Sequence, residues 1–462
     1  MFRKLTLLAM AAGTLSAAQA PPLRTVSLVI TNGIVVTVDA NRRVIQHGAV
    51  AIDGRDIVAV DTADAIAARV RGTETIDAAG AVVMPGLINT HTHAPMVLFR
   101  GLADDLALMD WLQKYIFPAE AKTVTPAFVR AGTRLAALEM IESGTTAYVD
   151  MYYFEEEIGR VTKAAGLRGV LGQTIIQFPV PDAKTPAEGL ARAERFAKEF
   201  AGDALITPAV APHAMYTNDP DTLKACRALA DRLHIPVITH LAETRDEVTT
   251  SQEKYHLTPV AFLDSIGFWG PRTIAAHAVH VTPADIQILA GQHVAVSHNP
   301  ESNMKLASGI APVEAMRNAG VTVALGTDGA ASNNDLDMFE AMRQAAFLAK
   351  VGSGDPRAIP AAAALEMATI EGARAIGMDR EIGSLETGKR ADVLVVSMSS
   401  ARQTPMYDPV SHLVYVTHGD DVRTTIVNGR VLMRDRKVLT LVAAQVLADA
   451  RAYTDTIRAA VK

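Results

Sequence analysis

Val82-Val83-Met84-Pro85-Gly86-Leu87-Ile88-Asn89-Thr90-His91-Thr92-His93 is an apolar, strand-like run that delivers two histidines one residue apart. Side chains alternate faces along an extended chain, so His91 and His93 point the same way. Two imidazoles aimed at one point suggest a metal; a pair satisfied by ordinary hydrogen bonds is the plain alternative. The choice turns on whether other strands end in further ligands.

Strand-like runs at 82–89, 145–151, 167–174, 205–212, 235–241, 273–278, 293–298 and 321–327 alternate with helical stretches at 128–142, 186–200, 221–233, 283–290 and 312–319. Several of the helical stretches open near a proline, as helix starts do. Eight β/α units over about 300 residues fit a (β/α)8 TIM-type barrel, an α/β fold whose chemistry lies at the C-terminal ends of its strands. A doubly wound open sheet is the structural alternative.

Before this region come Leu28-Val29-Ile30, Thr31-Asn32-Gly33, Ile34 to Val38, and Ala49 to Ile52 ahead of Asp53-Gly54. Asn-Gly and Asp-Gly between apolar runs read as hairpin turns. A matching pattern returns in Ala391 to Val396 and in Thr424 to Met433 around Asn428-Gly429. Neither set is large enough alone, so the two chain ends are expected to combine into one small β-sandwich domain. The division expected is 24–84 and 385–440 for the sandwich, 85–384 for the barrel, and 441–462 for a surface helix centred on Val442 to Val461.

Residues 1–20 stand apart. Arg3 and Lys4 precede an apolar run from Leu5 to Leu15 and the small-residue segment Ser16-Ala17-Ala18-Gln19-Ala20, which reads as a secretory signal peptide cut after Ala20 or Ala18. Export to the periplasm or medium follows, without stable membrane insertion of the mature chain. Cys226 is the only cysteine among 462 residues, so an oxidising compartment would supply no intramolecular disulfide. With 44 basic and 50 acidic side chains the net charge is −6, which offers no field for nucleic acid. The expected partner is a small molecule, and the expected assembly a homo-oligomer.

The strand ends carry histidines repeatedly: Ala211-Pro212-His213, His240-Leu241-Ala242-Glu243, Ala276-His277, Ser297-His298-Asn299 and Gly326-Thr327-Asp328-Gly329. In a barrel all of these face one mouth. Three neutral imidazoles and one carboxylate, from His91, His93, His240 and Asp328, make an N3O shell suited to one divalent ion, zinc or iron(II). The fourth strand holds no lysine that could become a bridging carbamate, which argues for a single ion. Such an ion lowers the pKa of bound water from 15.7 towards about 7.

Glu243, three residues past a ligand, is placed to carry the proton from that water to a leaving group; a solvated carboxylate beside Arg245 is the alternative. His277 can stabilise developing oxyanion charge or serve as a fifth ligand. Asp328 can act as ligand and proton acceptor together. His280 reads as packing, and His298 and Asn303 as braces.

These motifs, with Ser302-Asn303-Met304-Lys305-Leu306 and Ala330-Ala331-Ser332-Asn333-Asn334, resemble the amidohydrolase superfamily over almost the whole mature chain. The closest resemblance is to its methylthioadenosine/S-adenosylhomocysteine deaminases and its s-triazine and guanine deaminases. The resemblance implies the same metal ligands, with Glu243, His277 and Asp328 catalytic, and Trp111, Glu120 and His213 contacting substrate. Members that deaminate S-adenosylhomocysteine carry arginines after the third strand, whereas Gly172-Gln173-Thr174-Ile175-Ile176-Gln177-Phe178-Pro179 has none. Glutamine cannot replace that charge, so a zwitterionic substrate tail is not expected.

The function expected is a metal-dependent hydrolytic deaminase: activated water attacks the amino-bearing carbon of a purine, purine nucleoside, pterin or triazine, and ammonia leaves. A cyclic-amide hydrolase or triazine chlorohydrolase on the same site is one alternative, and a non-catalytic exported metal- or ligand-binding protein is a remoter one. Fold alone does not choose among the substrates.

Overall fold

The run that opens at Val82 serves two sheets. Val82–Pro85 pairs antiparallel with Val393–Val396, while Leu87–Thr92 begins the barrel beside Thr145–Tyr152. The reading of 82–89 as one strand is therefore corrected. Pro85 brings no N–H to a ladder, and Gly86 turns the chain so close to the next strand that a Cβ there would lie 2.0 Å from Thr146 Oγ1.

The computed structural model describes residues 23–461; the segment read as a signal peptide lies outside the described residues. Eight parallel strands follow one another in chain order: β1 (Leu87–Thr92), β2 (Thr145–Tyr152), β3 (Arg168–Ile175), β4 (Ile206–Pro212), β5 (Val237–Leu241), β6 (Thr273–His277), β7 (Ala295–His298) and β8 (Val323–Leu325). The seam between β8 and β1 is closed largely by side chains. Asn89 gives its Nδ2 to Thr327 Oγ1 at 2.7 Å and accepts from Thr327 N at 3.0 Å. Thr90 Oγ1 donates to Leu325 O at 2.9 Å, and Asp328 N donates to His91 O at 2.9 Å.

The outer helices start from one local device. Pro126–Ser143, Pro186–Glu199, Pro220–Leu233 and Pro283–Gly291 each carry Pro in the first turn after Thr125, Thr185, Asp219 or Thr282, whose side chain accepts from a first-turn N–H. Proline has no N–H to leave unsatisfied there, and the cap satisfies another. The helices expected from the sequence sit within a few residues of these bounds.

Both chain ends build one nine-stranded sheet, whose buried core joins Leu28, Ile30, Val50 and Ile52 to Val393, Val395 and Ile426. The Asp53-Gly54 and Asn428-Gly429 turns form hairpins as expected. Asn32-Gly33 does not: Arg24–Val36 is one continuous strand with a register shift there and Asn32 at φ 57°. The bulge lets the strand pair with Val70–Asp77 before it and with Val82–Pro85 after it, so the left-handed residue changes partner rather than direction.

The single helix expected at the C-terminus is two, Ala443–Arg451 and Thr454–Ala460. They break where the Tyr453 ring meets Phe128 edge-on at 5.4 Å, and Val446 and Ile457 are buried.

Gly86→Ala should lower thermal stability by about 1–3 kcal/mol through overpacking. Adding Thr146→Gly should recover much of that loss. Calorimetry on the single and double variants checks this; additive losses would contradict the close-approach explanation.

Candidate metal centre and substrate cleft

The C-terminal strand ends bring the sequence-selected groups together. His91 lies in β1 and His93 directly follows it, His240 lies in β5, His277 ends β6, Asp328 follows β8 and Glu243 follows β5. His91 Nε2 and His93 Nε2 lie 3.4 and 3.3 Å from Asp328 Oδ1. His93 Nε2 and His240 Nε2 are 3.3 Å apart. A tetrahedral ion with bonds of about 2.1 Å has ligand–ligand edges of about 3.4 Å, which these separations match.

The hydrogen bonds behind the rings fix which nitrogen faces inward. His93 Nδ1 meets Met151 O at 2.7 Å and His240 Nδ1 meets His213 O at 2.7 Å. A carbonyl only accepts, so both Nδ1 atoms carry hydrogen, and in the neutral rings both Nε2 atoms present lone pairs to each other. His91 Nε2 is buried with no hydrogen-bond partner. Two facing lone pairs and an orphaned third nitrogen beside a carboxylate fit a divalent cation.

Electrostatics agrees. Burial lowers the His91 imidazole to about 4 and holds His240 well below its ordinary value, which keeps both neutral. Burial pulls His93 down as well, but the hydrogen bond and charge of Asp328 raise it to about 9. The carboxylate favours a positive charge at this point, and a metal ion would satisfy it as a proton does.

Asp328 is itself held: Gly329 N donates to its Oδ1 at 2.7 Å, and Ser302 and Ser332 donate to its Oδ2 at 2.7 and 3.0 Å. His277 and Asp328 have left-handed backbone, at φ 74° and 67°, which costs on the order of 1 kcal/mol each and concentrates at working sites.

Glu243 is buried, and its Oε2 lies 3.8 Å from His277 Nε2. Burial raises its pKa. Arg245 is exposed, so the solvated-pair alternative for Glu243 does not hold. His277 Nδ1 meets Asn303 Oδ1 at 2.9 Å, placing the Asn303 brace directly on the ring. His280 instead bonds Ser308 O, and His298 is buried with its Nδ1 unpartnered.

Two buried acids escaped the sequence reading. Asp150 accepts from Thr92 Oγ1 at 2.7 Å and Ala94 N at 2.5 Å, gripping both sides of His93. Glu247 accepts from Ala242 N and Glu243 N at 2.9 and 3.0 Å, one helical turn after Glu243. Nothing in their spacing separates them from surface acids.

A cleft of about 570 Å³, partly open to solvent, covers His93, His240, Glu243, His277 and Asp328. Trp111, Glu120 and His213 line it, as the resemblance implied, together with Phe117, Tyr152, Tyr153 and Tyr216. Burial raises Glu120 to about 7, and the Tyr153 hydroxyl approaches its Oε2 at 3.5 Å. Lysine and arginine are absent from the described lining. The arginine-free stretch from Gly172 begins inside β3 rather than after it: Gln173 is buried and gives its Nε2 to Asp182 at 2.9 Å, while Thr174 borders the cleft.

The barrel and its N3O cluster define a hydrolase of the metal-dependent type. The sequence profile of the amidohydrolase family matches residues 82–432, and the chain belongs to that family. It is 48% identical over 93% of its length to a 5-methylthioadenosine/S-adenosylhomocysteine deaminase of Syntrophobacter fumaroxidans, covering 98% of that protein. It is 47% identical over 92% of its length to a 5'-deoxyadenosine deaminase of Methanococcoides burtonii, covering 96% of it. A crystal structure of an adenosine deaminase from Xanthomonas campestris with bound zinc superposes with a TM-score of 0.93 at 41% identity, covering 95% of this chain and 100% of that one.

Asn303→Ala should lower kcat about 10- to 100-fold while metal content stays the same, because it frees the His277 ring without touching a ligand. Steady-state kinetics beside metal analysis checks this; loss of metal in step with activity would contradict the role.

Proposed function

We propose that this protein is a zinc-dependent deaminase of adenine-type nucleosides bearing a neutral 5′ group, with 5′-deoxyadenosine and 5′-methylthioadenosine as the type substrates. The observation that carries the reading is the cleft lining: aromatic walls and three acids, Glu120, Glu243 and Asp328, with no lysine or arginine beyond the metal centre. A substrate carboxylate would enter an acidic, low-dielectric space without a guanidinium partner. The exposed Arg245 borders a neighbouring depression, with Asp246 beside it.

His91, His93, His240 and Asp328 would hold the ion; a histidine-rich shell without a soft thiolate suits zinc and also admits iron(II). When bound, the ion supplies a water acidic enough to give up its proton near neutral pH. Glu243, buried 3.8 Å from His277, takes that proton and returns it to the departing amino group. A carboxylate raised by burial is matched to both halves of this transfer.

His277, its Nδ1–H held by Asn303, would donate from Nε2 to the oxygen that develops charge when that nitrogen also carries hydrogen, and Asp328 would orient the same oxygen. Trp111 offers a flat apolar wall to the ring, His213 a polar edge, and Glu120 an acceptor for sugar hydroxyls. Relatives named for deamination of adenosine-type compounds support ammonia as the leaving group over chloride or ring opening.

Ammonia release should be rapid with 5′-deoxyadenosine and 5′-methylthioadenosine and at least about tenfold lower in kcat/KM with S-adenosylhomocysteine, whose carboxylate lacks a partner. Equal efficiency on all three would overturn the specificity, and opening of cyclic amides without ammonia would overturn deamination. Glu243→Gln should cut kcat by about 10²–10⁴ with the metal retained; unchanged turnover would remove the proton-carrying role. The export reading of residues 1–20 belongs to this proposal. N-terminal sequencing of the exported protein should begin after Ala18 or Ala20, and an unprocessed cytoplasmic chain would contradict it.

A further inference from the structure

We propose that the N-terminal face of the barrel, opposite the metal centre, carries a binding site for a phosphoryl anion between the barrel and the end sheet. The site is a hollow partly open to solvent, bordered by Arg168, Arg272, Arg390 and Arg55. Arg168 opens β3, Arg272 precedes β6, Arg390 lies on the return into the end sheet, and Arg55 sits on the hairpin turn after Gly54. Four arginines bordering one hollow stand against a net charge of −6 for the chain.

Counter-charges sort the four. Arg168 is buried, 3.3 Å from Asp392, whose other oxygen accepts from Asn428 N at 2.7 Å. Arg390 reaches Asp56 and, at 3.5 Å, Glu381. Asp203, the remaining acid on the wall, is taken up by Lys163 and by the N–H groups of Leu205 and Ile206. Among the described residues Arg55 and Arg272 have no carboxylate partner. Arg272 donates to His234 O, and the Arg55 side chain makes no hydrogen bond.

An unpartnered arginine on a convex surface is ordinary. Two of them, exposed on a concave wall, outnumber the one surplus carboxylate of the Asp56–Arg390–Glu381 cluster and leave a local excess of positive charge, while Arg168 is neutralised by Asp392. The guanidinium is planar and gives parallel N–H pairs, so it matches the oxygens of a tetrahedral dianion in bidentate fashion. A carboxylate brings half that charge. The hollow opens to solvent, so a free phosphate or a small ester can enter, and the shared chemistry is the phosphoryl group.

The zinc-loaded full chain is titrated with inorganic phosphate and with ribose 5-phosphate by calorimetry at low ionic strength. Wild type should bind one equivalent saturably and lose affinity as salt rises. The Arg55→Ala/Arg272→Ala variant should bind about tenfold or more weakly, with deaminase turnover unchanged. Arg357→Gln, which removes an exposed and distant charge, should bind as wild type does. Tighter binding of the ester assigns the phosphoryl group to a phosphorylated metabolite, and equal binding assigns it to the free anion. An absence of saturable binding, or equal affinity in the double variant as for an adventitious ion only, overturns the site.

Discussion

Two histidine nitrogens, His93 Nε2 and His240 Nε2, face each other across 3.3 Å at the C-terminal mouth of the barrel. Neither ring can turn its N–H inward, because each Nδ1 is engaged by a backbone carbonyl from a different part of the barrel. With both rings neutral the arrangement is repulsive, and a positive charge between the nitrogens, a proton on His93 or a metal ion, relieves it; Asp328 is positioned to favour that charge. The protein therefore stores electrostatic demand for a cation in parts of the backbone that cannot relax separately.

The barrel makes this possible by holding four strand ends at fixed separation. Asn89 and Thr90 close the β8–β1 seam just before the first ligand, and Asp150 grips Thr92 and Ala94 around the second. Glycine sits where the backbone must pass closest: a Cβ at Gly326 would lie 2.8 Å from His91 N and 2.6 Å from Asn299 Oδ1. The left-handed turns at His277 and Asp328 are kept by these surroundings, as strain at working sites requires.

Much of this was legible in the sequence because its signals are periodic or chemical. Alternation of strand and helix points to the barrel, prolines near the helix starts mark several of them, and histidines at strand ends mark the mouth. What escaped depends on tertiary context. Asn32-Gly33 has the composition of a hairpin turn, yet two parallel neighbours hold it as a bulge within one strand. Val82 to Asn89 reads as one apolar run, and only the approach of Gly86 to Thr146 divides it between two sheets. Asp150 and Glu247 look like any acid on paper; their importance comes from backbone N–H groups that folding brings to them. Gln173 reads from the sequence as a missing charge beyond β3, whereas it is a buried donor inside β3, and no lysine or arginine elsewhere in the cleft lining takes that place.

The most direct measurement is the metal content and anomalous scattering of crystals of the protein purified without added chelator. One divalent ion per chain, bonded to His91, His93, His240 and Asp328 and absent from an Asp328→Ala variant, is the result that the facing imidazoles require. Two ions per chain, or a metal-free protein that releases ammonia at the full rate, would contradict it.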